Sequence, residues 1–98
     1  MDLTYQEINY NDIRWVDLKV NKNNGEPYSP SAAYYEVRGH DNQNVVIPKT
    51  LATINNNKVS AKITQTVTAS AGDYDIVWEI HKEGNTNYHC TRLLVNEC

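Results

Sequence analysis

The side chains able to do chemistry are few, and their spacing limits what they can do. His81 and His89 stand eight residues apart around Gly84, so a hairpin centred on Asn85 would set both imidazoles opposite each other on one sheet face. Two imidazoles can ligate zinc, but a site needs three or four ligands at about 2 Å. Cys90, one residue from His89, points to the other side of a strand. A hairpin centred between Gly84 and Asn85 instead pairs His81 with Tyr88. It turns Thr91, Leu93 and Val95 inward, opposite Trp78, Ile76 and Tyr74. That register gives the better apolar face and is the one expected, with no metal site.

Cys90 and Cys98 could be bridged only if the tail folded straight back, so both are expected to be free thiols of a protein made in a reducing compartment. No glycine-rich elbow or helix N-terminus precedes Cys90 to lower its pKa, which argues against a nucleophile. Asp73 and Asp75 share one strand face, the arrangement a carboxylate pair of the glycosidase kind would need. A solvated outer face behind Tyr74 and Ile76 is the expected reading. The four glycines, at 25, 39, 72 and 84, are isolated turn residues, so nothing cradles a phosphate. No basic, aromatic-interleaved stripe suits single-stranded nucleic acid. These patterns predict no catalytic residue, no cofactor and no enzyme.

The aromatic residues are the better candidates. The alternation of Val16, Leu18 and Val20 leaves Trp15 and Ile13 on the outer face of their strand, unless a bulge turns Trp15 into the core. An exposed Trp15 beside Tyr34 or Tyr28 would form an interface or stack on a sugar. Trp15, Tyr34, Tyr28 and Tyr5 are therefore the expected anchors. Trp78 is assigned to the core.

The elements that must position these groups read as strands. The 98 residues include 9 Val, 7 Ile, 8 Thr and 7 Tyr but only 5 Leu, and the apolar residues alternate with a period of two. The expected strands are 3–10, 13–21, 32–38, 45–47 (stopped by Pro48), 50–54 and 59–64, then 74–81 and 87–95. Asn24-Gly25 is the strongest hairpin-turn signal, and 65–71 is a small Thr-rich segment that crosses between sheets. About seven short antiparallel strands at this spacing predict an all-β sandwich, one domain over residues 1–98. The net charge of −3 and pI near 5.5 argue against a nucleic-acid binder. No apolar run reaches the roughly 18 residues of a membrane helix, and the N-terminus lacks a secretion signal.

Several stretches then carry a resemblance: Asp17-Leu18-Lys19-Val20, the Asn-Gly turn, Ala33–Arg38, Val59–Ile63, and above all Gly72-Asp73-Tyr74 leading to Trp78-Glu79-Ile80. Over about residues 10–95 the chain resembles the small immunoglobulin-like domains of tailed-phage virion proteins, especially the N-terminal domain of siphophage baseplate upper proteins. Tyr74 stands where such a sandwich places a tyrosine corner. The resemblance implies an immunoglobulin-like sandwich in a virion, as a capsid decoration protein or a small tail or baseplate component. Its partners would be other virion proteins, capsid or tail, or further copies of itself, and no catalytic residues are implied. Carbohydrate or host-surface recognition, with a cell-surface glycan as partner, is the alternative.

Overall fold

The computed structural model describes residues 3–97 except Asn23, with side chains from residue 6 onward. In chain order the elements are β1 (Leu3–Asn9), β2 (Arg14–Lys19), β3 (Ala32–Gly39), β4 (Val45–Leu51), β5 (Thr53–Asn55), β6 (Lys58–Ile63), α1 (Gln65–Thr68), β7 (Gly72–Lys82) and β8 (Asn85–Asn96). Five strands form one sheet in the order β1-β8-β7-β3-β4, and three form a second in the order β2-β6-β5. The all-β class holds, in a sandwich-like arrangement of two sheets over one core. The expectation that every strand is antiparallel does not. The described residues form eight strands where about seven were expected, and β1 runs parallel to β8, with Ile8 opposite Val95.

The core follows from strand alternation. Tyr74, Ile76, Trp78 and Ile80 of β7 all point inward, as do Ala33, Tyr35 and Val37 of β3 and Val59, Ala61 and Ile63 of β6. Trp78 is fully buried, its ring tilted against Tyr35 at 6.3 Å between centroids. Its indole N–H donates to Thr91 Oγ1 at 2.9 Å, so the one polar atom of the largest core side chain is satisfied.

The segment after β6 does cross between the sheets, and it does so through the single turn of α1. There Thr68, fully buried, donates from Oγ1 to the Asp12 carbonyl at 2.7 Å, and the Asn11 amide donates to the Thr68 carbonyl at 2.9 Å. Tyr74 OH donates to the Ser70 carbonyl at 2.7 Å. The β1–β2 corner and the β6–β7 crossing are thereby tied at one end of the molecule.

Three expectations are corrected. Pro48 does not stop β4. Tyr35 pairs with Thr50 and Val37 with Ile47, so Pro48 and Lys49 together oppose Glu36 in a bulge. Proline lacks an N–H, but β4 is an end strand, where a bulge accommodates it. Residues 50–54 are not one strand either, because Leu51 ends β4 and Thr53 begins β5 in the other sheet. The last hairpin turns at Glu83-Gly84, with φ of 51° and 76°, and pairs His81 with Thr86 and Trp78 with His89. Two positive φ values give the turn whose twist matches paired strands. Relative to the expected register this is a slip of two residues, which keeps every side chain on its face. Thr91, Leu93 and Val95 are still buried, but opposite Ile76, Tyr74 and Gly72.

Removing the Trp78 ring should cost far more than removing the Tyr74 hydroxyl. Urea unfolding should show Trp78→Ala losing about 3–5 kcal/mol and Tyr74→Phe about 0.5–1.5 kcal/mol. Equal losses would contradict the packing described.

Candidate functional site

Burying Trp78 forces its neighbours in β7 outward, and Val77, Glu79 and His81 face solvent on the five-stranded sheet. The register lines up Leu51, Tyr34, Glu79 and Tyr88 across β4, β3, β7 and β8. Glu79 is the hub of that row. His81 Nε2–H donates to its Oε2 at 2.7 Å, Lys49 Nζ pairs with Oε1 at 3.0 Å, and Tyr88 OH donates to Oε1 at 3.4 Å. Lys49 Nζ also lies 4.6 Å from the Tyr34 ring centroid, and the His81 ring meets Tyr34 edge-on at 5.8 Å. Lys49, two residues before Leu51 in β4, shares its face by strand alternation. Tyr34, Lys49, Glu79 and Tyr88, with Glu36 and Arg38, line an open cavity of about 220 Å³.

The charges on this face balance locally. Arg38 pairs with Glu36, and Lys49 and His81 with Glu79. The hydrogen bond from His81, then that from Lys49, holds the Glu79 carboxyl below the ordinary 4.5. The hydrogen bond to Glu79 holds Lys49 above 10.5. Cys90, half-buried on the same face, is a free thiol whose pKa is raised by burial, which makes it a poor nucleophile at neutral pH. Cys98 lies outside the described residues.

Asp73 and Asp75 share this outer face but take separate partners. Asp73 pairs with Arg92 at 3.4 Å. Asp75 is 8% exposed, so the expected solvated face is wrong at this position. Its carboxylate meets His40 Nδ1 at 3.0 Å and accepts from Gln43 Nε2 at 3.3 Å, which ties the 39–44 turn to β7. No group of three or more His, Cys, Asp or Glu side chains placed to hold a metal occurs among the described residues. No described helix is long and apolar enough to cross a membrane.

Trp15 lies on the opposite side of the sandwich. It is 53% exposed on the outer face of the three-stranded sheet, opposite Lys62, with Ile13 57% exposed just before β2. The bulge that would have buried it is absent from β2. Trp15 is therefore not beside Tyr34, whose side chain leaves the other sheet in the other direction. Nor is Tyr28 a free anchor: it is half-buried against the core, and its hydroxyl accepts the Glu83 amide at 3.0 Å. Tyr5 is in β1, in register with Arg92, and its side chain lies outside the described residues. Sequence reasoning missed Lys49, Leu51 and Tyr88. Tyr88 shares the face of Glu79 in the observed register, and only a correct hairpin turn would have revealed it.

The sequence matches no protein-family model and no curated protein.

The Glu79 hub gives a pH signature. Its depressed pKa means that its pairing stabilises the fold above the unfolded value and is lost as pH falls through the folded one. Lys49, with a raised pKa, contributes below its unfolded value and loses that contribution as pH rises through the folded one. NMR titration of Lys49→Met should move the Glu79 midpoint upward toward 4.5. An unmoved midpoint would contradict the pairing.

Proposed function

We propose that the chain is a non-enzymatic structural domain of a tailed-phage virion, an immunoglobulin-like sandwich that works by protein–protein assembly contacts. The observation that carries this reading is the placement of exposed apolar side chains on both outer faces. Trp15 and Ile13 mark one face, and Leu51 (68% exposed) and Tyr88 (63% exposed) mark the other. A domain with anchors on two opposite sides can bridge neighbours in an array, where repetition by symmetry makes weak contacts sufficient. Its partners on this reading are capsid or tail proteins, or further copies of itself.

The immunoglobulin-like assignment draws support from the strand order, five strands against three, and from the Tyr74–Ser70 hydrogen bond. That bond has the form of a tyrosine corner at the crossing into β7. Ile76 stands two residues after this tyrosine, where antibody domains carry a disulfide cysteine, so the hydrophobic core does the work of that bridge. The resemblance to phage virion domains supplies the virion setting. A second reading, recognition of a cell-surface glycan, is favoured by Tyr34 and Tyr88 around the 220 Å³ cavity, since tyrosine faces stack on sugar rings.

Light scattering of the purified chain, alone and mixed with fractionated virion proteins, tests the first reading. A capsid or tail protein should co-migrate with the chain, and Trp15→Ser should weaken that complex by about 2 kcal/mol or more, as for a central aromatic anchor. Binding to cell-wall glycan with nothing retained from the virion would overturn it in favour of the second.

A further inference from the structure

A second and larger cavity, of about 410 Å³, opens beside the edge strand β2, where the two sheets part. Gln6 of β1, Lys19 of β2, Val20 and Lys22 of the following loop, Lys82 of β7 and His89 of β8 line it. The gap has a structural cause. Among the described residues, β1 pairs with β8 from Cys90 onward, and β2 is an end strand of the other sheet. No described strand therefore closes the space between the edge of β2 and the 85–89 stretch of β8.

The charge in this cleft is the reverse of the protein's. The chain carries a net −3. Among the described residues, Arg38, Lys49, Lys58 and Arg92 have carboxylate partners within ion-pair distance, whereas Arg14 and Lys62 do not, and neither do Lys19, Lys22 and Lys82. Those three line one cleft. The single described carboxylate there, Asp17, is already engaged by Ser60 Oγ at 2.5 Å and by Lys58 Nζ at 3.9 Å. Lys22 and Lys82 are only half-exposed. Lys82 donates to the Asn21 carbonyl, which holds its ammonium at the cleft wall with two of its three donors to spare. Cations that line one cleft without carboxylate partners there favour an anion among them.

We infer that this cleft binds an oxyanion, phosphate or carboxylate, carried by an organic ligand larger than the bare ion. The oxyanion supplies the charge-assisted hydrogen bonds that the lysines lack. The size follows from the cavity, which falls in the range of roughly 300–1,000 Å³ typical of small-molecule sites. The inference does not rest on the assembly reading, because Trp15, Ile13, Leu51 and Tyr88 do not line the cleft.

Titration of the ¹⁵N-labelled chain with inorganic phosphate, glycerol 3-phosphate and glucuronate tests it, and the spectrum itself reports that each variant is folded. At least one of the two organic anions should give saturable shifts centred on residues 19–22 and 82. It should bind at least about fivefold more tightly than inorganic phosphate. Lys22→Gln and Lys82→Gln should each weaken it by about fivefold or more. Lys62→Gln, which removes an exposed and equally unpaired cation from β6, should leave it unchanged. Saturation by glycerol 3-phosphate alone assigns a phosphate ester, and saturation by glucuronate alone assigns a carboxylate. Shifts that never saturate, or an equal loss on Lys62→Gln, would overturn the inference.

Discussion

The buried indole of Trp78 is the constraint on which the rest of the structure depends. It sits in β7, the middle strand of the larger sheet, packed on Tyr35 and hydrogen-bonded through its N–H to Thr91. Fixing that ring inward fixes the parity of the whole strand. Tyr74, Ile76 and Ile80 join the core, while Asp75, Val77, Glu79 and His81 must face out. The same choice sets the parity of β8, because Thr91 must lie inward to receive the indole hydrogen bond. Core and surface hub are thus two sides of one strand.

How far this could be read from the residues depended on the range of the interactions involved. The alternation in β2, β3, β6 and β7 is local, and it placed Val16, Tyr35, Ala61 and Trp78 correctly. The crossing at 65–71 was also legible, from its small, Thr-rich residues. Pairing partners were not. The parallel docking of β1 on β8 joins the two ends of the chain and has no local signature. Pro48 reads as a strand terminator, and only the end position of β4 lets it sit in a bulge. The last turn was misplaced because Glu83, with φ of 51°, adopts a conformation more usual for Asn or Gly. The two-residue slip left the core reading intact, yet it hid Tyr88 from the site.

The site itself was only partly legible for the same reason. Tyr34 and Trp15 stood out by type, but type does not say which sheet a strand joins. Trp15 and Tyr34 turned out to leave opposite faces of the sandwich. Lys49 joined the site from β4, whose pairing with β3 had no local signature, and Tyr28 was drawn into a structural hydrogen bond with the last turn. The result is two surfaces of different character. One is a charge-balanced, aromatic cradle held by Glu79, and the other carries an exposed indole opposite Lys62. Both suit contact with other molecules.

The central claim, that both outer faces are covered in an assembly, is tested most directly by hydroxyl-radical footprinting of Trp15 and Tyr88. Under the proposed virion reading, the reactivity of each would be compared between the free chain and intact virions. Both residues should react readily in the free chain and be protected in the particle. Reactivity equal to that of the free chain at both positions would contradict the account.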